Sequence, residues 1–247
     1  MYSWNTIRTV CAVLLLIPVV HLVYLVSRDT MATLDPSPEA WAHEVEAYVE
    51  ADQSASLPGQ PIVVVGERSV QLWPGLADIL APQPVLMRGL SGATVDDITH
   101  YHSELISFYR PSAVVLLPGV NEFHIRDNKS ADELFRAIRH LVDLDLSYEP
   151  SRQFYIFAPI KNPFYPGDHD KIDQVTRLLD DWAGALTQVS ILDANRLLAR
   201  PNGQPNPDHF RMDGVNLNEH GYLRLSLLLQ ENLRKDAAVL YSLDGSP

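Results

Sequence analysis

The sequence predicts an α/β protein with a parallel sheet, preceded by a separate apolar segment. Five short apolar runs alternate with helical patterns, at residues 62–65, 84–87, 113–117, 154–158 and 191–192. The chain has 247 residues and 46% hydrophobic content, which is enough for one sizeable core plus an appendage. Residues 9–27 carry no charged side chain.

The apolar runs read as strands that are buried on both faces. Strands that are apolar throughout and separated by helices are typical of a parallel sheet covered by helices on each side. The intervening helices are predicted at residues 94–109, 130–146, 171–186 and 218–235. The second of these opens with a capping box, Ser130-x-x-Glu133. Ligands of such sheets bind beyond the carboxyl ends of the strands, so the segments after each strand are the candidate site.

The N-terminal apolar segment has the length of a membrane span. Nineteen residues of helix cover roughly 28 Å, close to the thickness of a bilayer core. A cleaved signal peptide is the alternative, but its apolar region is usually about 7–15 residues and ends at an A-x-A-like site, which is absent here. We therefore expect an uncleaved single-pass anchor. Arg8 and Arg28 flank it almost symmetrically, and we favour the orientation with the domain outside the cytoplasmic membrane.

Four segments follow from these patterns. Residues 1–28 form the transmembrane anchor, 29–60 a linker with an amphipathic helix, 61–236 the α/β domain, and 237–247 a C-terminal tail. The amphipathic helix is predicted to start at Ser37, with Trp41, Val45, Tyr48 and Val49 on one face.

Composition excludes several classes of function. The net charge of −12 and the pI of about 5.1 argue against a nucleic-acid partner, because an acidic surface repels phosphate backbones. Cys11 is the one cysteine, so neither an intramolecular disulfide nor a cysteine-based zinc site can form. No set of His, Asp and Glu shows metal-ligand spacing, and we predict no metal and no other cofactor.

Four short motifs follow predicted strands or precede the last helix. They are G-E-R-S at residues 66–69, R-G-L-S-G-A-T at 88–94, G-V-N-E at 119–122 and D-G-V-N at 213–216. Each alone is ordinary turn chemistry. Their order and spacing together are more specific.

In that order the motifs resemble the blocks of the SGNH (GDSL-like) hydrolases, over about two thirds of the chain. The Leu72-Trp73 pair that ends the first block resembles a bacterial subgroup. The resemblance implies a flavodoxin-like three-layer sandwich with a five-stranded parallel sheet. It also implies ester chemistry with a serine nucleophile after the first strand, a glycine and an asparagine as oxyanion hole, and a C-terminal D-x-x-H motif. With the favoured orientation of the anchor, a bacterial origin puts the domain in the periplasm or outside the cell.

The catalytic positions match only in part. The resemblance puts Gly92 and Asn121 at the oxyanion hole and Asp213 at the acid. The nucleophile position, however, is Arg68, and the base position is Asn216. A guanidinium has no acceptor and stays protonated, and an amide takes no proton at neutral pH. The triad is therefore expected to be degenerate.

Two side chains are candidates for a rearranged site. Ser69 lies one position past the nucleophile, although a serine there is also a typical helix N-cap. His124 is the preferred spare base over His209 and His220, for which exposed loop positions are expected. Glu67 is expected to pair with a neighbouring cation.

Arg68 needs a partner if it is buried, because an unpaired buried guanidinium is costly. One hypothesis is an ion pair between Arg68 and Asp213 that plugs the pocket. The other is a carboxylate- or phosphate-binding site made of Arg68, the Gly92 N–H and Asn121.

Three functions remain open at this point. The favoured one is a membrane-anchored SGNH-like protein without hydrolase activity, acting as a binding or assembly component of the cell envelope. Its expected partners are an anionic small molecule or a saccharide, and a membrane protein contacted by the N-terminal helix. The alternatives are an active esterase or acyltransferase using Ser69 with a displaced histidine, and a structural subunit of a membrane complex.

Overall fold

The computed structural model describes residues 8, 14–24, 37–124 and 128–244, with side chains up to residue 236. It forms two compact units, Met1–Ala40 and Trp41–Pro247. In the first unit, residues 14–24 are helical with exposed apolar side chains. The other residues of the predicted anchor at 9–27 lie outside the described ones. Among the described residues, no helix combines the length and the apolar character that a membrane crossing requires.

The second unit is built on five parallel strands, as predicted. Their spatial order is β2-β1-β3-β4-β5. The strands are β1 (Ile62–Gly66), β2 (Val85–Gly89), β3 (Ala113–Leu117), β4 (Gln153–Phe157) and β5 (Val189–Leu192). Because all five run the same way, their carboxyl ends meet at one edge of the sheet.

Helices cover both faces of this sheet. They are α1 (Ala42–Ser54), α2 (Arg68–Gln71), α3 (Leu76–Leu80), α4 (Val95–His100), α5 (His102–Leu105), α6 (Ala131–Tyr148), α7 (His169–Ala183), α8 (Asn195–Leu198) and α9 (Glu219–Asp244). Val63 and Val65 point into a core shared with α1 and α4 to α7. Ile62 and Val64 point into a second core shared with α2, α3, α8 and α9. This alternation is the period of two that a strand imposes on its side chains.

The helix starts are better predicted than the helix lengths. Ser130 accepts from the Glu133 N–H and forms the predicted capping box at the start of α6. The prediction of a single helix at residues 94–109 is wrong. The segment divides into α4, α5 and a 3₁₀ turn, Ser107–Tyr109, which ends at Arg110 in the left-handed region (φ 46°). The last helix continues to Asp244, into the predicted tail.

Helix α1, which was predicted within the linker segment, packs over the end of β2. The Trp41 indole Nε1 donates to the Ser91 carbonyl, and the Tyr48 hydroxyl donates to the Gly89 carbonyl, each at 2.8 Å. Val49, predicted on the same face, is 39% exposed. The helix therefore belongs to the unit that carries the sheet.

A buried ionic cluster lies away from the carboxyl ends of the strands. Asp145 of α6 is fully buried and accepts from His102 of α5 at 2.7 Å and from Arg152 just before β4. Because a buried carboxylate is costly without partners, these contacts stabilise the junction of the three elements.

Candidate functional site

The carboxyl ends of β1, β3 and β4 surround a cavity of about 100 Å³, the strand-end cavity. The loop before α9 closes its remaining side. Its polar lining residues are Glu67, Arg68, Ser69, Asn162, Asp168, Asn216 and Tyr222. Most of the rest of the lining is apolar, with Phe123 and Leu217 among the residues that form it. The predicted site is thus at the sheet edge that the strand order indicates.

Arg68, at the nucleophile position, opens helix α2 and lines this cavity. Its side chain is exposed, and it forms no ion pair within residues 37–124 and 128–244. The predicted ion pair with Asp213 is therefore wrong. The physical reason is hydration: an exposed guanidinium keeps its water and needs no buried carboxylate.

Asp213 has its own partners in the loop before α9. Its carboxylate accepts from Asn216 Nδ2 at 2.7 Å and from the backbone N–H groups of Val215 and Asn216, each at 2.9 Å. Partial burial acts to raise the pKa of Asp213, but these hydrogen bonds hold it below its usual value. Asn216, at the base position, is thereby committed to orienting this carboxylate, and it also lines the cavity.

The two residues at the oxyanion positions lie side by side. Gly92 is in the left-handed region (φ 77°), and a Cβ placed on it would lie 3.4 Å from Asn121 Nδ2. The Asn121 amide, however, already has an acceptor, because its Nδ2 donates to Glu67 Oε1 at 3.2 Å. The structure brings the two predicted donors together, but one of them, the Asn121 amide, already donates to the carboxyl group of Glu67.

Glu67 is the unexpected member of the site. It was expected to pair with a cation, yet its carboxyl group accepts a hydrogen bond from the Asn121 amide, and it forms no ion pair among the described residues. Burial, and then the nearby carboxyl of Glu122, raises its pKa to about 7, while the charge of Arg68 acts in the opposite direction. The expected cation partner is therefore wrong: a neutral amide holds this carboxyl group.

Ser69 and His124, the candidates for a rearranged site, share no hydrogen bond. Ser69 Oγ is buried and has no hydrogen-bond partner among the described residues. Ser69 is also not an N-cap, since Glu67 holds that position of α2. His124 Nε2 pairs instead with Asp168, and its ring stacks on Tyr165 at 3.9 Å between centroids.

Asp168 is a cavity residue that the sequence analysis missed. It lies in the 3₁₀ turn Pro166–Asp168 after β4, and its side chain is 11% exposed. The signal that could have found it is the Pro-Gly-Asp turn just before α7. The strand-end segments taken from the sequence did not include the one after β4.

A second ionic cluster holds the loop that carries Asn121. Glu122 is 1% exposed, accepts from the Val95 N–H, and pairs with Lys129 at 2.7 Å. Lys129 also contacts Asp96 at 2.7 Å. These contacts fix both ends of the loop against α4, and so they position the Asn121 amide.

No metal centre is indicated in the part of the chain that the structure describes. No group of three or more His, Cys, Asp and Glu side chains there could hold an ion.

Known proteins resemble this chain in structure. No protein-family model and no curated protein matches its sequence. A GDSL-like lipase from Bacteroides thetaiotaomicron superposes with a TM-score of 0.66 at 16% identity, covering 77% of this chain and 97% of the lipase. Family 3 carbohydrate esterases from Clostridium thermocellum and Talaromyces cellulolyticus each give 0.58, at 15% and 16% identity. They cover 74% and 71% of this chain, and 99% and 96% of their own.

These similarities define the class of fold. The chain has the α/β fold of SGNH (GDSL-like) hydrolases, as the motifs predicted. A fold hosts many activities, so function has to be argued from the side chains in the strand-end cavity.

Proposed function

We propose that this chain is a catalytically inactive SGNH-fold protein that binds a small ligand carrying a carboxylate or phosphate group. The observation that carries the proposal is the exposure of Arg68 and its lack of an ion-pair partner among the described residues. Arg68 stands at the nucleophile position, on the cavity wall.

Ester hydrolysis on this fold needs an oxygen nucleophile and a base that takes its proton. Neither Arg68 nor Asn216 supplies these functions. Ser69 Oγ is shielded from solvent and has no base as hydrogen-bond partner within the described ranges. Losing triad members costs roughly 10⁴–10⁶ in rate, so binding is better supported than turnover.

A guanidinium next to a partly apolar cavity suits an anion. Arg68 presents planar donors that match a carboxylate or a phosphate, and such hydrogen bonds are about twice as strong as neutral ones. Because two structural neighbours are carbohydrate esterases, a saccharide that carries an acidic group belongs to the same proposed ligand class.

We also propose the setting in which this binding occurs. The uncharged segment at residues 9–27 supports a single-pass anchor in a bacterial cytoplasmic membrane, with the domain periplasmic or extracellular. There the chain would act as a binding or assembly component of the cell envelope, or as a structural subunit if the N-terminal helix contacts a membrane protein.

The test measures binding and turnover on the purified full chain. Acetate, inorganic phosphate and glucuronate are titrated into the wild type, into Arg68→Ala and into Arg177→Ala. Arg177 is exposed on α7 and does not line the strand-end cavity, so it is the matched control. At least one probe should bind the wild type and Arg177→Ala, and binding should fall about tenfold or more in Arg68→Ala. Equal binding by all three variants would contradict the proposal.

An active esterase or acyltransferase is the second candidate, and the pairing of His124 with Asp168 favours it. A histidine oriented by a carboxylate is the base that such an enzyme needs. If p-nitrophenyl acetate is turned over, and Ser69→Ala abolishes the turnover while Ser107→Ala does not, this candidate replaces the binding protein.

A further inference from the structure

The strand-end cavity is lined in part by a carboxyl group that already has a partner within the protein. Glu67 Oε1 accepts from Asn121 Nδ2 at 3.2 Å. A side-chain amide is one of the donors that stabilise an oxygen anion in acyl-transfer enzymes. Here the oxygen comes from the chain itself.

The surrounding backbone makes room for this side chain. A Cβ placed on Gly119 would overlap Glu67 Oε2, so the glycine allows the carboxyl group to lie against the backbone. Glu67 is also the N-cap residue of α2, yet its side chain makes no capping hydrogen bond. The carboxyl group of Glu67 is instead held by Asn121, the residue at one of the oxyanion positions.

This arrangement changes what a ligand meets in the cavity. The cation is Arg68 on the wall, and two carboxyl groups, Glu67 and Asp168, also line the space. A ligand with acceptor atoms at both ends would be attracted by Arg68 and repelled by the carboxyl groups of Glu67 and Asp168. A ligand with an anionic group at one end and a hydroxyl or ammonium group at the other satisfies both.

We propose that Glu67 is the specificity-determining residue of this cavity: it occupies the Asn121 donor and selects ligands that combine an anionic group with a hydrogen-bond donor. This inference rests on the proposed function, since it assumes that Arg68 holds the anion. The chemical class is a hydroxy acid, an amino acid or an acidic saccharide.

The experiment compares two acids that differ by one hydroxyl group. Acetate and glycolate are titrated at pH 8 into isotopically labelled full-length chain, and affinity is measured by NMR. The wild type should bind glycolate about tenfold more tightly than acetate, the difference that one hydrogen bond to a charged group supplies. In Glu67→Ala the freed Asn121 amide can donate to a carboxylate, so acetate should gain affinity and the preference should disappear or reverse.

The controls separate this inference from the proposed function. Glu67→Gln keeps the shape of the side chain, and its amide oxygen can still accept from Asn121. This variant should therefore lose the preference for glycolate without gaining affinity for acetate. It also tests the idea if Glu67→Ala does not fold. Equal binding of both acids that still depends on Arg68 would overturn the role of Glu67 alone. If neither acid binds the wild type, and phosphate and glucuronate do not bind either, the proposed function fails with it.

Discussion

The raised pKa of Glu67 makes a quantitative prediction about stability. The perturbation is Glu67→Gln, which removes the titrating proton and keeps the shape of the side chain. In the folded chain the pKa is about 7, and the ordinary value is 4.5. Because the folded state binds the proton more tightly than the unfolded state, Glu67 stabilises the wild type at low pH, and this contribution is lost as the pH rises through 7.

The size of the effect follows from the two pKa values. One pKa unit corresponds to about 1.4 kcal/mol, so between pH 8 and pH 5 the wild type should gain roughly 2–3 kcal/mol from Glu67. Glu67→Gln should lack this gain. The titration of other groups, including most of that of Glu122, changes the stability of both proteins alike. These contributions therefore largely cancel in the difference between the two free energies of unfolding.

The assay is urea unfolding of both proteins at several pH values from 5 to 8. The difference in the free energy of unfolding should change by roughly 2–3 kcal/mol in favour of the wild type toward pH 5. A difference that stays constant across that interval would refute the idea that Glu67 is buried with its proton near neutral pH. A change of opposite sign would mean that Glu67 is held ionised.

Two further predictions concern other parts of the chain. Asp145→Ala should lower the free energy of unfolding by about 3–5 kcal/mol in a denaturant titration, because Arg152 and His102 stay buried without their acceptor. Asp143→Ala is its control: its exposed ion pair on α6 should contribute at most about 1 kcal/mol, and equal losses in both variants would count against the buried cluster. The full-length chain should stay with the membrane fraction during an alkaline carbonate wash, and a chain that lacks residues 1–36 should not. A full-length chain that is washed off the membranes would contradict the anchor.

The sequence predicted the sheet well because each strand carries its own signal. Apolar runs bounded by turn residues specify buried strands, and a capping box specifies a helix start at Ser130. The subdivision of residues 94–109 was not predictable in this way. The backbone leaves the helical region near Tyr101. No proline or glycine lies in this segment to indicate that the helix is interrupted.

A cavity lies at the sheet edge where the candidate site was predicted, but the contacts of its side chains were not predicted. Gly92 and Asn121 lie next to each other as their motifs indicated. The partner of His124 could not be predicted, because Asp168 lies 44 residues away and becomes its neighbour only when the loop after β4 folds back. The Arg68 and Asp213 pairing failed because exposure, which decides whether a charge needs a partner, is a property of the folded surface.

The sequence by itself determined the fold class and the sheet edge where the strand-end cavity lies, and it has Arg68 and Asn216 where the resemblance implies a serine and a histidine. These features depend on local periodicity and on residue identity, both of which the sequence contains. Only the tertiary structure decided that Arg68 is exposed, that Asn216 donates to Asp213, and that Glu67 accepts from the Asn121 amide. Burial and hydrogen-bond partners arise from segments distant in the chain, and they set both the charge of Glu67 and the chemistry left to the cavity.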